Sequence, residues 1–111
     1  MEATAKLRFL RMAPNKVRKV GATIRNKQLL KALVYLKFLP QIAAKHLLKL
    51  LNSALANAKI KNPDVKPDKL YIKKLIIDEG PILKRFQPVS RGRAHRIRKR
   101  TCHITVNISD E

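Results

Sequence analysis

The chain has 111 residues, with 26 Lys and Arg against 7 Asp and Glu, a formal net charge of +19. That length suits one domain with one modest core and leaves no room for a second. So large an excess of one sign makes a polyanion the default partner, while 45% hydrophobic content with clear periodicity excludes a wholly disordered chain.

From Ala3 to Phe9 the residues alternate, with Ala5, Leu7 and Phe9 on one side and Thr4, Lys6 and Arg8 on the other, which predicts a half-buried strand. Pro14 suits the first turn of a helix, Val17, Val20 and Ile24 follow at helical spacing, and Asn26 is a residue type that ends helices in the left-handed conformation. A second helix is expected over Gln28 to Leu36, burying Leu29, Leu33 and Leu36. Pro40 opens the longest helix, whose buried stripe is Ala44, Leu47, Leu48, Leu51, Leu55 and Ala58, and Asn62-Pro63 closes it. Its other face sets Asn52, Ser53 and Asn57 beside the small Ala54 and Ala56. That mixture fits close approach to a partner backbone or an ordinary solvated face equally well. The segment 62–69, NPDVKPDK, reads as a linker. Two strands complete the body: Leu70 to Ile77, rich in β-branched and aromatic residues, and the cleanly alternating Cys102, Ile104, Val106 and Ile108.

Between these strands lies GPILKRFQPVSRGRAHRIRKR, residues 80–100, with eight cations and no acid. Its few apolar residues cannot build a core, because ordering the backbone costs about 1–2 kcal/mol per residue. If the flanking strands pair antiparallel, opposed residue numbers sum to about 180 and the turn falls near Pro88 to Gly92. The arms then extend roughly 30 Å at about 3.3 Å per residue. Gly80-Pro81 marks the departure from the sheet, since proline cannot donate to a central ladder. The expected architecture is α+β: three helices packed on a three-stranded antiparallel sheet with one long protruding β-hairpin. It forms a single domain over 1–111, with 1–79 and 101–111 as the globular body and 80–100 as the extended basic hairpin.

Residues 3–63 carry no acid. The seven carboxylates, Glu2, Asp64, Asp68, Asp78, Glu79, Asp110 and Glu111, bracket the linker and the strand ends away from the hairpin tip, and are expected to mark the end facing water. Arginine outnumbers lysine six to two within 80–100, which favours bidentate phosphate contact and stacking over point-charge attraction. Phe86 and His95 suit stacking on unpaired bases, and packing of Phe86 across the hairpin remains an equal alternative.

Several classes are excluded. Asp78 and Glu79 are adjacent on a strand and point to opposite faces, which is wrong for a cooperating carboxylate pair. Cys102 and His103 do the same, and with His46 and His95 they make no recognisable metal set, so neither catalysis, nor a cofactor, nor a metal is expected. The single cysteine suits a reducing compartment. No secretory signal is visible in MEATAKLRF, and Lys45, Lys49 and Asn52 interrupt the most apolar stretch, so no membrane span or membrane partner is expected. A free DNA- or RNA-binding protein of nucleoid type is the main rival, because a basic ribbon can enter a major groove. The absence of a dimer-forming heptad and the spread of cations over several elements count against it.

IDEGPILKR at 77–85, followed by RGRAHRIRKRTCHITV at 91–106, resembles the hairpin signature of the large ribosomal subunit protein twenty-two family, bacterial type. APNKVRKV at 13–20 and LLNSALANA at 50–58 sit in matching order, so the likeness covers essentially the whole chain. The resemblance implies a structural constituent of the large subunit, in the cytoplasm or in an organelle, that binds large-subunit ribosomal RNA, aids early assembly and touches neighbouring ribosomal proteins. It assigns RNA contact to Lys84, Arg85, Arg91, Arg93, Arg96, Arg98, Lys99 and Arg100, and Arg11, Lys16, Arg18, Lys19 and Arg25 on the body are further candidates for RNA contact. The tip, Phe86, Gln87, Pro88, Val89, Ser90, Arg91 and Gly92, would reach the wall of the nascent-peptide exit tunnel, where macrolides would sense its position. Val89-Ser90 stands where family members usually carry an arginine and an alanine. Met12 replaces a common serine, which weakens the first helix cap.

Overall fold

Alternation at Cys102, Ile104, Val106 and Ile108 buries all four side chains and makes Cys102–Ser109 the middle strand of a three-stranded antiparallel sheet. The structure, a computed structural model, describes residues 1–81, 83–88 and 94–110, with the backbone alone for 83–88 and 94–99. In chain order the elements are β1 (Glu2–Leu10), α1 (Pro14–Ile24), α2 (Leu29–Phe38), α3 (Ile42–Lys61), a 3-10 turn (Pro67–Lys69), β2 (Tyr71–Glu79), β3 (Leu83–Pro88), β4 (Ala94–Lys99) and β5 (Cys102–Ser109). The main sheet has the order β1-β5-β2, and β3 and β4 form a separate two-stranded antiparallel ribbon. The protein is therefore α+β, three helices on a three-stranded antiparallel sheet. Its radius of gyration is 17.1 Å, against about 13 Å for a compact chain of this length, and it measures 65 × 25 × 17 Å.

Helix α3 packs on β1 and β5, α1 packs on β2 and α3, and α2 packs on α3, so one face of the sheet is covered. Between the layers lie Val17, Val20, Ile24, Leu47, Leu51, Ile72, Ile104, Val106 and Ile108, all buried. The second helix runs two residues beyond its expected end, to Phe38, and buries Ala32 where Leu33 was expected; Leu33 is half-buried. The third begins at Ile42 with Gln41 as its N-cap residue, so Pro40 precedes its first turn and belongs to the α2–α3 connection. Leu50 and Ala54 join its buried stripe, while Leu48 and Leu55 sit half-buried at its margins. Asn26, at φ 59°, follows α1 in the left-handed conformation.

Two bulges interrupt the strand alternation. In β1, Leu7 faces Ile104 and Leu10 faces Cys102, so Arg8 and Phe9 together oppose His103. Phe9 takes φ 57° and turns outward, 62% exposed, which corrects its expected place on the core side. Its ring meets that of His103 edge-on at 4.8 Å, and its N–H donates to His103 Nδ1 at 3.1 Å. In β2, Lys73 is the extra residue between Ile72, opposite Ile108, and Lys74, opposite Asn107; Ile72 and Leu75 consequently both point into the core.

Both edges of the sheet are covered from within the chain, which protects them from pairing with a second sheet. On β1, Asn57 Nδ2 donates to the Thr4 carbonyl at 3.0 Å and Lys61 Nζ to the Glu2 carbonyl at 2.8 Å. Asn57 thus meets the chain's own strand, and Ala54 is core. On β2, the Leu29 N–H donates to the Leu70 carbonyl and the Ile72 N–H to the Lys27 carbonyl, both at 2.9 Å, and Arg18 Nη2 donates to the Ile77 carbonyl at 2.9 Å.

Candidate nucleic-acid interface

The root of the ribbon is a small locked joint. The Gly80 N–H donates to the Thr101 carbonyl at 2.9 Å, and Thr101 Oγ1 donates to the Pro81 carbonyl at 2.7 Å. Opposed numbers sum to 180 at Tyr71 and Ser109, to 181 at Glu79 and Cys102, and to 182 at Leu83 and Lys99. The bulge at Lys73 supplies the first step of that drift and the joint the second. Along the ribbon, Lys84 stands opposite Arg98, Phe86 opposite Arg96, Gln87 opposite His95 and Pro88 opposite Ala94, the last described rung. Ile82, Val89, Ser90, Arg91, Gly92, Arg93 and Glu111 lie outside the described residues.

Beside the joint opens a cleft of about 850 Å³. Arg11, Lys16, Lys19 and Arg100 line it, with Met12, Val20, Leu39 and Ala43 as an apolar floor and Tyr35 and Ile42 at its margin. The starts of α1 and α3 both open onto it. Their N-cap residues, Ala13 and Gln41, make no side-chain capping bond, and neither first turn holds an acid. Four cations, with no acid among the described lining residues, therefore give the cleft a positive potential.

Of the cations assigned to RNA on the body, the structure gathers Arg11, Lys16, Lys19 and Arg100 and separates two others. Arg18 lies against the β2 edge, one of its five N–H groups spent on Ile77. Arg25 follows the far end of α1, beside Asn26, Lys73 and Lys74. Tyr35, Met12 and Ile42 were not legible as site residues. The one signal, and for Tyr35 alone, is that LLKALVYLKF has apolar residues on every face between its two lysines, which a helix on the surface of a small domain has no internal reason to have. Val34, Tyr35 and Phe38 are accordingly exposed.

The strand-end carboxylates fall into two groups, both on the main sheet rather than on the ribbon. Glu2, Asp110 and the terminal ammonium cluster at the sheet end remote from the ribbon, with Met1 N and Asp110 Oδ1 3.0 Å apart. The Lys73 ammonium, then the Asn107 amide, hydrogen-bond the Glu2 carboxylate and hold its pKa below the ordinary value. Asp78 and Glu79, however, stand at the ribbon's root opposite His103 and Cys102, because β2 runs towards the ribbon and ends there. Both are exposed, as is the adjoining sheet surface with Lys6 and Arg8. Burial pushes the Cys102 thiol pKa up, against a weaker opposing pull from Arg18. Among the described residues no group of three His, Cys, Asp or Glu is placed to hold a metal ion, and no helix is long and apolar enough to cross a membrane.

A small basic body that carries a two-stranded ribbon, with four cations lining a cleft at the ribbon's root, has the form of a structural protein. Residues 5–109 match the family model described as Ribosomal protein L22p/L17e. Proteins named Large ribosomal subunit protein uL22 are similar over the full chain. That of Mycoplasma mycoides subsp. mycoides is 52% identical, covering 100% of this chain and 99% of its own, and that of Geobacter sulfurreducens is 51% identical with the same coverage. That of Chloroflexus aggregans is 48% identical, covering 100% and 97%. The chain belongs to the L22p/L17e family of ribosomal proteins, as the signature at 77–85 and 91–106 implied, and this is a family of structural proteins rather than enzymes.

Proposed function

We propose that the protein is built into the large subunit of a bacterial-type cytoplasmic ribosome, where it binds large-subunit RNA through the ribbon and the cleft at its root. The observation that carries this reading is the position of Arg100, which directly follows β4 and also lines the cleft, so that the basic segment 80–100 ends among Arg11, Lys16 and Lys19. On this reading 1–79 and 101–111 are the body that aims the extended segment 80–100. Lys84, Arg85, Arg91, Arg93, Arg96, Arg98 and Lys99 neutralise phosphates along the ribbon, which threads inward among RNA helices and helps them assemble early. Its far end, 86–92, borders the nascent-peptide tunnel and there influences macrolides. Neighbouring ribosomal proteins complete its surroundings.

The test has two arms. At matched salt, the full chain should prefer protein-free bacterial large-subunit RNA to duplex DNA of equal length by well over tenfold; equal affinity would leave a general nucleic-acid binder instead. Replacing Lys84, Arg85, Arg96 and Arg98 by glutamine should flatten the salt dependence and lower incorporation into large subunits. Cross-links from a photoreactive group at Gln87 to nascent chain in translating ribosomes are the expected mark of the tunnel, and their absence would remove that placement.

A further inference from the structure

We infer that the cleft at the ribbon's root holds one unstacked nucleotide of the bound RNA, its base against the Tyr35 ring and its flanking phosphates on Lys16, Lys19 and Arg100. This rests on the RNA-binding reading and deepens it, because it names the conformation of RNA that the body selects. Phosphate contact alone needs cations on a convex surface; it has no use for a concave apolar floor made by Met12, Val20 and Leu39. A base has such a use. The cleft's 850 Å³ lies within the range of about 300–1,000 Å³ that encloses small ligands, and is far too small for a duplex. Tyr35 is 45% exposed, on the open side of α2 that also carries Val34 and Phe38, and it is the member of that group with a ring in the lining of the cleft. Among the described residues no aromatic ring stacks on Tyr35. Sequence-specific readers of RNA take splayed-out bases onto aromatic rings in this way.

The test uses the full chain with protein-free bacterial large-subunit RNA. Tyr35→Leu should weaken binding about 5–150-fold at fixed salt, the range for losing one stacked base, and leave the salt slope unchanged. Tyr35→Phe keeps the ring and should stay within about twofold on the same stacking argument. Lys16→Gln and Lys19→Gln should each lower the salt slope by about 1. Zero-length ultraviolet cross-linking of the unmutated chain should yield a nucleotide adduct on the peptide that contains Tyr35, and this arm decides the matter if Tyr35→Leu fails to fold. Wild-type affinity in Tyr35→Leu, or adducts on the ribbon with none at Tyr35, would overturn the inference while the RNA-binding reading stands. A Tyr35 cross-link to another protein in whole large subunits would overturn it too. Failure of the unmutated chain to prefer ribosomal RNA over duplex DNA would remove both readings together.

Discussion

A β-carbon on Gly80 would lie 2.4 Å from Thr101 Oγ1. The two residues are locked by the Gly80 N–H to Thr101 carbonyl bond, while the same threonine's hydroxyl donates to the Pro81 carbonyl. Proline leaves the β2–β5 ladder without a donor where the ribbon departs, and a buried hydroxyl makes the connection across the gap. Thr101 is 3% exposed, so its hydroxyl has no water to turn to. Gly80→Ala is expected to push Thr101 off its rotamer and destabilise the protein by about 1–3 kcal/mol. Thr101→Val, which leaves the Pro81 carbonyl unpaired, should cost about 1–2 kcal/mol. Urea unfolding of the two variants and of the double variant checks this. Because they disturb one joint, the double should cost less than the sum.

Cys102 lies on the same root, buried opposite Glu79 and Leu10, and burial holds its thiol pKa above the ordinary value. For an acid whose folded value is raised, full stability is present below the unfolded pKa of about 8.5 and falls as pH rises through the folded value. Wild type should therefore lose stability above about pH 8.5 relative to Cys102→Ser, whose hydroxyl does not ionise in that range. Iodoacetamide at pH 8.5 should label Cys102 slowly in the native chain and rapidly in urea. Equal rates would contradict the burial.

Phe9 illustrates how a correct strand can carry a wrong face. Ala3, Ala5, Leu7 and Phe9 keep a period of two, but the bulge lets Leu10 take the inward position and turns Phe9 out at φ 57°. Phe9→Gly removes the β-carbon penalty of that conformation, about 1–2 kcal/mol, at the loss of the edge contact with His103, itself about 0.5–1.5 kcal/mol. Its net effect on unfolding should be small. Leu47→Ala, at a fully buried position, should cost about 2–5 kcal/mol. Thermal melts of the pair give the comparison.

The bounds of the first helix, the central strand and the approximate register were legible because local chemistry sets them: Pro14 begins a helix, Asn26 follows its end, and Cys102 to Ile108 alternate without interruption. Bulges were not, since nothing in Arg8-Phe9 announces an extra residue. The doublet Lys73-Lys74, between inward Ile72 and Leu75, is the nearest thing to a signal, because two consecutive exposed residues break the period of two. The cleft lay beyond reach for another reason. Arg11, Tyr35 and Arg100 are brought together by the packing of three helices and the return of β4, and no local pattern encodes that meeting.

The same packing separates arginines that look alike in sequence. Arg18 gives Nη2 to the Ile77 carbonyl on the outer edge of β2, whereas Arg100 lines the cleft and is exposed. Arg18→Gln should remove a cover from the sheet edge and cost about 1 kcal/mol in unfolding free energy, with little change in the salt slope of RNA binding. Arg100→Gln should do the reverse, leaving the unfolding midpoint in place and lowering the slope by about 1. Equilibrium unfolding and salt titrations on both variants separate the roles. If Arg18→Gln alone flattened the salt dependence, RNA would have to run along the β2 edge, away from the cleft.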